Sequence, residues 1–223
     1  MRTALPLLLG LLLLPSLGWA GDDSGPVAAS EDSADDPPEL DDTLRLHVQR
    51  RAALNGVALG VLGGWSVASM VGGGVGMATT SPGTTDWSFH QMNLVWGGID
   101  LAIAGAAGAW IAVQTRHPGD EVSILRGGNR LQILYALNLG LDIGYVATGL
   151  LLQRLGTVEG NPTLEGYGPA IALQGGVLLA LDTILLIGNA ALDDRLLARR
   201  RSWAKLPPRL RTPLPMAGLQ AAF

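Results

Sequence analysis

Four long apolar runs constrain this chain more than any other feature. They cover residues 54–77, 92–113, 131–152 and 170–192, and each is 22 to 24 residues long. At about 1.5 Å of rise per residue, a helix of that length crosses a hydrocarbon core of roughly 30 Å. Because the bilayer core offers no water to an exposed strand backbone, we expect the spans to be helices. The sequence therefore predicts an all-α fold, a four-helix transmembrane bundle built as two helical hairpins with disordered termini.

The composition disfavours a water-soluble enzyme. Only 15% of the residues are charged and 48% are hydrophobic, whereas roughly a quarter of a soluble domain is charged. The chain has no Cys, which excludes disulfides, thiolate metal sites and Cys nucleophiles. The three His residues share no metal-ligand spacing, and no phosphate-binding glycine motif occurs. We therefore predict a protein that is not an enzyme and that holds no cofactor.

The first 20 residues resemble a secretory signal peptide. Arg2 and the amino terminus are positive, residues 5–14 are apolar, and Gly18 and Ala20 are the small residues that a signal peptidase reads. We expect cleavage after Ala20. An uncleaved anchor helix is the alternative, although the run is short for a span.

Charge divides the remainder of the chain. Residues 21–43 hold nine acids and no Lys or Arg, a pattern typical of a disordered tail. The transmembrane domain is predicted over residues 44–193, and residues 194–223 form a basic, Pro-rich tail. A basic segment directly after a hydrophobic helix favours binding to anionic lipid headgroups. No basic face with interleaved aromatics is present, so nucleic acid is not an expected partner.

Two topology rules conflict in this sequence. The basic residues lie around residues 43–53, 114–130 and the C-terminal tail, whereas the loops at 79–91 and 153–169 contain only Arg154. The positive-inside rule puts the basic side in the cytoplasm, but a cleaved signal peptide puts the same side outside. Either the leader is not translocated as usual, or one run does not cross, or the charge rule is broken. The predicted location is the bacterial inner membrane, with a multi-pass topology.

Small residues recur at intervals of four in the apolar runs. In membranes such stripes let helix backbones approach closely. They favour a tight bundle, with a homo-oligomer through the first helix as a second interpretation. The stripes contain Gly56, Gly60 and Gly64, Ser69 and Gly73, Gly72 and Gly76, and Gly140, Gly144 and Thr148.

Three acids interrupt the apolar runs. Asp100, Asp142 and Asp182 lie at similar depth in the second, third and fourth runs, where a charge costs about 2.5–3.5 kcal/mol on insertion scales. Each has polar neighbours at helical spacing, which predicts a polar seam facing the bundle interior. These neighbours are His90, Asn93, Asn138, Tyr145 and Gln174.

The seam has several interpretations. No Lys or Arg lies within any run, so we expect at least one acid to be protonated or the group to hold a cation. Protonated Asp, Asn and Gln can simply join helices by hydrogen bonds. The same groups suit a proton or Na⁺ relay, or a hard-cation site. An aspartyl-protease dyad is a weaker idea, because residues 140–142 lack the Gly-x-Gly-Asp form.

Three stretches carry a resemblance to a known family. They are FHQMN at 89–93, NLGLDIGY at 138–145, and GYG at 166–168 with QGG at 174–176. Together they resemble an uncharacterised family of small four-helix bacterial membrane proteins, a domain of unknown function, over about residues 50–192. The resemblance implies no activity or ligand. It implies an amide at the position of Asp100, which leaves Asp142 and Asp182 as the firmer pair.

These observations lead to two functional hypotheses. The first is a non-enzymatic integral membrane protein of the bacterial envelope whose seam is structural or binds a small ligand or ion. The second is a proton- or cation-coupled transporter component that uses Asp142 and Asp182.

Overall fold

The computed structural model describes residues 38–116 and 121–204, which form four helices and no strand. The helices are α1 (Pro38–Thr79), α2 (Thr85–Arg116), α3 (Glu121–Glu159) and α4 (Pro162–Ala204). Each is long and apolar enough to cross a membrane by length and composition. The predicted four-helix fold is confirmed. The predicted signal peptide, most of the acidic tail, His117 and the end of the basic tail lie outside the described residues.

The helices are longer than the apolar runs within them. They contain 42, 32, 39 and 43 residues. Helix α1 begins at Pro38, inside the segment predicted to be disordered, and α4 continues into the predicted basic tail as far as Ala204. A helix of 42 residues is about 63 Å long, roughly twice the hydrocarbon thickness. Polar turns at the basic end therefore extend beyond the apolar runs.

Two short turns close the hairpins. Thr84 Oγ1 accepts a hydrogen bond from the Trp87 backbone N–H at 3.3 Å and caps α2. At the other turn, Gly160 adopts a positive φ of 63° and Asn161 N–H donates to Gly156 O at 2.8 Å, which is the Schellman ending of α3. Asn161 Oδ1 then accepts hydrogen bonds from the first turn of α4, so one residue ends the first helix and starts the next.

Helix α4 is the common packing partner in the bundle. Helix α1 pairs mainly with α2, and α3 pairs mainly with α4, as the two predicted hairpins require. Helix α4 also packs against both α2 and α1. Side chains on α4 therefore face groups from all three other helices, and this position decides where the polar site forms.

Only some of the small-residue stripes mediate close packing. A Cβ at Gly73 would lie 2.6 Å from the backbone oxygen of His90, so α1 and α2 approach closely there. A Cβ at Gly56, Gly60 or Gly64 would meet nothing within 4 Å. The first-helix stripe therefore does not pack the bundle, and its role in a homo-oligomer stays a prediction.

Burial in this protein is inverted relative to a water-soluble domain. The largest side chains with essentially no exposed surface are all polar, and they are Gln174, Asn189, Asp100, Ser66 and Ser88, although Trp96 and Leu196 are nearly as buried. Large aliphatic side chains point outward, with Val57, Val158 and Ile187 each about two-thirds exposed. An apolar exterior around polar helix contacts is the arrangement that suits a lipid environment, where apolar surface gains nothing from burial against other helices.

Candidate intramembrane polar site

One face of α4 carries four polar residues at helical spacing. Gln174, Asp182, Asn189 and Asp193 follow one another at intervals of eight, seven and four residues, which keeps them on one face. From the first to the last, the rise is about 28 Å, close to the thickness of the hydrocarbon core. We call this series, with the groups that contact it, the polar column. Each of its four members anchors a separate layer.

The first layer is the amide hub around Gln174. This side chain is completely buried. Its Nε2 donates to Asn93 Oδ1 at 2.9 Å and to Ser69 Oγ at 3.2 Å, and its Oε1 accepts a hydrogen bond from Trp65 Nε1 at 2.6 Å. The hub therefore joins α1, α2 and α4 through one amide. The sequence identified Asn93 and Gln174 but not Trp65 or Ser69.

The second layer is the carboxyl layer around Asp182. Its carboxyl group lies close to the Asp142 carboxyl of α3 and to the side chain of Asn138, one turn before Asp142 on the same helix. Asp142 is almost fully buried, and its Oδ2 has no hydrogen-bond partner. The structure thus brings together the two acids that the resemblance left as the firmer pair.

Asp100 of α2 adds a third acid to the carboxyl layer. Its side chain is fully buried, and neither carboxyl oxygen has a hydrogen-bond partner. It lies close enough to act electrostatically on Asp142 and on Tyr145. The Tyr145 ring packs edge-on against Trp96 with ring centres 5.2 Å apart. Three acids from three helices therefore share one interior region.

The third layer is the asparagine layer, which the sequence did not identify. Asn55 and Asn189 exchange hydrogen bonds between their amides at 3.2 and 3.3 Å, and Tyr135 donates its hydroxyl to Asn55 Oδ1 at 2.7 Å. Helices α1, α3 and α4 meet here. The sequence feature that could have revealed this layer is the seven-residue spacing between Asp182 and Asn189, which places both on one helix face.

The fourth layer is an ion-pair layer at the basic end of the bundle. Arg51 forms a salt bridge with Asp193, and Arg51 Nη1 also donates to the Ile124 carbonyl oxygen at 3.1 Å. Gln132 Nε2 donates to Asp193 Oδ2 at 2.7 Å. His47 Nε2 lies 3.2 Å from Asp193 Oδ1 but is not aligned for a hydrogen bond. The sequence missed this layer because its two charged members, Arg51 and Asp193, lie just outside the apolar runs.

Within the described residues, the His90 side chain forms no hydrogen bond to the polar column. Its ring packs edge-on against Phe89 at 5.4 Å between ring centres. It also covers Gly76 of α1, where a Cβ would overlap the imidazole. His90 thus fills the gap that a glycine leaves between α1 and α2, and this is a packing role.

The carboxyl layer does not form a recognisable metal centre. Among residues 38–116 and 121–204, no group of three or more His, Asp or Glu side chains is arranged to hold a metal ion. The carboxyl and amide groups of this layer can exchange protons and form hydrogen bonds.

The fold and the polar column together define a multi-pass helical membrane protein with a hydrogen-bonded polar interior. A family model matches residues 61–183, and the chain belongs to that family, which is described as a family of unknown function (DUF6992). The match confirms the resemblance over slightly fewer residues. No curated protein and no solved structure shows a significant match to the chain.

The matched region divides the polar column. The amide hub and the carboxyl layer lie inside residues 61–183. The asparagine layer depends on Asn55 and Asn189, and the ion-pair layer depends on Arg51 and Asp193, which all lie outside that region. The family model therefore covers the part of the column that contains the three acids.

Proposed function

We propose that this chain is a non-enzymatic multi-pass protein of the bacterial inner membrane whose carboxyl layer is a site for a small ligand or ion, with the proton as the simplest occupant. The buried Asp100 carboxyl without hydrogen-bond partners carries this proposal. The other layers of the polar column hold the helices in register.

The structural part of the proposal is supported by satisfied hydrogen bonds. The amide hub uses both the donor and the acceptor atoms of Gln174. In the asparagine layer, Asn189 Nδ2 donates to Asn55 and also to the Leu185 carbonyl. Interhelical bonds of this kind contribute about 0.6 kcal/mol each on average, and they fix the helix register.

The carboxyl layer differs because three of its acidic oxygens are unsatisfied. Both oxygens of Asp100 and one of Asp142 are buried without a partner. Burial of an unpaired carboxylate costs far more than burial of a neutral acid. The layer is therefore suited to proton exchange, or to a polar ligand that supplies the missing hydrogen bonds.

A second candidate function is a proton-coupled transporter component, and the contact between Asp142 and Asp182 favours it. An ionised carboxylate can only accept hydrogen bonds, so two carboxyls share one only when a proton is present. A proton shared by this pair would join α3 to α4, and loss of that proton would replace the attraction between the helices with a repulsion. Intramembrane acid pairs of this kind are typical of proton relays.

Ligand binding is tested by the melting temperature of the purified chain in detergent. The temperature is measured at different pH values and after addition of Na⁺ or small metabolites. A ligand that binds only the folded state raises the melting temperature by mass action. Asp100→Asn is expected to reduce that response, and Asp194→Asn is the control because Asp194 is exposed on the same bundle. If wild type and Asp100→Asn respond identically to every addition, the carboxyl layer is not a binding site.

Transport is tested in sealed vesicles that contain the reconstituted chain and a pH-sensitive dye inside. We expect Asp142→Asn and Asp182→Asn each to abolish proton movement while the protein stays folded, because an amide cannot carry the exchanged proton. Asp194→Asn should leave the rate unchanged. Folded variants with the wild-type proton flux would eliminate the transporter hypothesis and leave the structural interpretation.

Two partner expectations remain part of the proposal. The bilayer surrounds the helices, and the basic end of α4 favours anionic headgroups through exposed residues such as Arg199 and Arg201. A homo-oligomer through the outward-facing glycines of α1 is tested by crosslinking in native membranes, where exclusive recovery of monomer would remove it.

A further inference from the structure

We infer that the groove between α1 and α4 at the basic end of the bundle binds one anionic phospholipid, with its phosphate held between Arg50 and Arg195. The groove has a volume of about 280 Å³. Its lining consists of Arg50, Leu54, Gly188, Ala191, Leu192 and Arg195. This site is separate from the carboxyl layer and does not depend on the function proposed for it.

The two arginines face outward, unlike the neighbouring Arg51. Arg51 turns into the bundle and pairs with Asp193, so its charge is neutralised there. Arg50 and Arg195 are both exposed, and within the described residues no acidic partner is found for either. Two unneutralised guanidinium groups at the rim of one groove make a site for a phosphate, which guanidinium binds with paired hydrogen bonds.

The position of the groove identifies a lipid as the source of that phosphate. Arg50 lies four residues before Leu54, where the first apolar run begins, and Arg195 lies three residues after Leu192, where the fourth ends. Both arginines are therefore at the boundary between the hydrocarbon core and the headgroups. A phospholipid whose phosphate lies at this level directs its acyl chains toward the apolar part of the groove.

The floor of the groove suits an acyl chain. Gly188 lacks a side chain, and a Cβ there would lie 2.7 Å from a terminal methyl of Leu54. The absence of a side chain at Gly188 lets α1 and α4 meet through Leu54, and the small Ala191 keeps the groove open beside this contact. The combination of basic rim and apolar floor matches the two parts of an anionic phospholipid.

The experiment measures binding of phosphatidylglycerol and of phosphatidylcholine with identical acyl chains to the purified full chain, by native mass spectrometry and by the melting temperature in detergent. We expect one tightly bound phosphatidylglycerol and no comparable phosphatidylcholine. Arg50→Gln and Arg195→Gln should each weaken phosphatidylglycerol binding roughly tenfold, because each removes a charge-assisted hydrogen-bond donor. Arg126→Gln removes an exposed arginine of α3 that does not line the groove and should have no effect.

Filling the groove provides a test that does not alter charge. Ala191→Trp should block the lipid, whereas Ala198→Trp, at an exposed position two turns further along α4, should not. Equal binding of both lipids, or an equal loss in Arg126→Gln and Arg195→Gln, would refute the site. Displacement of the lipid by inorganic phosphate at similar concentration would show a general anion site and would also overturn the lipid assignment.

Discussion

Replacement of Gln174 by leucine is the sharpest test of the polar column. Gln174 is buried and makes three side-chain hydrogen bonds, to Trp65, Ser69 and Asn93. Leucine has a similar volume but no polar atom, so the change removes the bonds without opening a large cavity. At about 0.6 kcal/mol for each interhelical bond, the loss is about 2 kcal/mol.

Orphaned partners increase that cost. Asn93 and Ser69 are themselves buried, and a buried polar group that loses its partner costs about 1–3 kcal/mol. We therefore expect Gln174→Leu to lower the free energy of unfolding by about 3–5 kcal/mol. The control is Gln153→Leu, since Gln153 is exposed on α3 and should tolerate the change.

The assay is reversible unfolding of the chain in bicelles, followed by intrinsic tryptophan fluorescence. A double-mutant cycle between Gln174→Leu and Asn93→Leu isolates the contact between the two amides and should give a coupling of about 0.6 kcal/mol. A destabilisation below about 0.5 kcal/mol, with no coupling in the cycle, would refute the view that the hub stabilises the bundle.

Three further substitutions test other parts of the site in the same unfolding assay. Asp100→Leu should stabilise the protein by about 1 kcal/mol or more, because it removes a buried acid that has no hydrogen-bond partner; a loss of stability would show that the carboxyl has a partner. Gly175→Leu should destabilise by about 1–3 kcal/mol, because a Cβ there would already lie 2.8 Å from Tyr145 Cβ; a neutral result would mean that α3 and α4 are further apart. Arg51→Gln should cost about 3 kcal/mol by leaving Asp193 without its cation, and the additional change Asp193→Asn should recover part of the loss; no recovery in the double variant would contradict the ion pair.

The structural and functional hypotheses for the carboxyl layer differ in the proton flux that they predict and agree on the effect of its acids on stability. If the column is only structural, each layer should contribute to stability in proportion to its hydrogen bonds. Removal of the unsatisfied acids from the carboxyl layer should then raise the free energy of unfolding. A function for the layer explains why three acids with incomplete hydrogen bonding persist beside two well-satisfied amide layers. Proton flux measured on the same variants therefore separates the two.

The helices and the three acids could be predicted from the sequence alone. Hydropathy over 22 to 24 residues is a local property, and a bilayer converts it directly into a helix of fixed minimum length. A charged residue inside such a run is conspicuous whatever its neighbours are. Asp100, Asp142 and Asp182 were recognised in this way, and the contact between Asp142 and Asp182 is present in the structure.

The asparagine layer and the ion-pair layer were harder to predict because their residues are common at helix ends and in helix contacts. Asn55 and Asn189 are 134 residues apart, and Arg51 and Asp193 are 142 residues apart. Nothing local marks Arg51 as inward-facing and Arg50 as outward-facing. The difference comes from a rotation of about 100° between successive residues of a helix, which has a consequence only when a partner helix is present.

The sequence by itself determined that the described chain is helical, which stretches are long and apolar enough to cross a membrane, and which acids lie inside those stretches. The tertiary structure alone decided which glycines bring helices together, which arginine is neutralised and which polar groups become partners. Those outcomes depend on the rotation and register of one helix against another, and both are set by contacts between segments that are far apart in the chain.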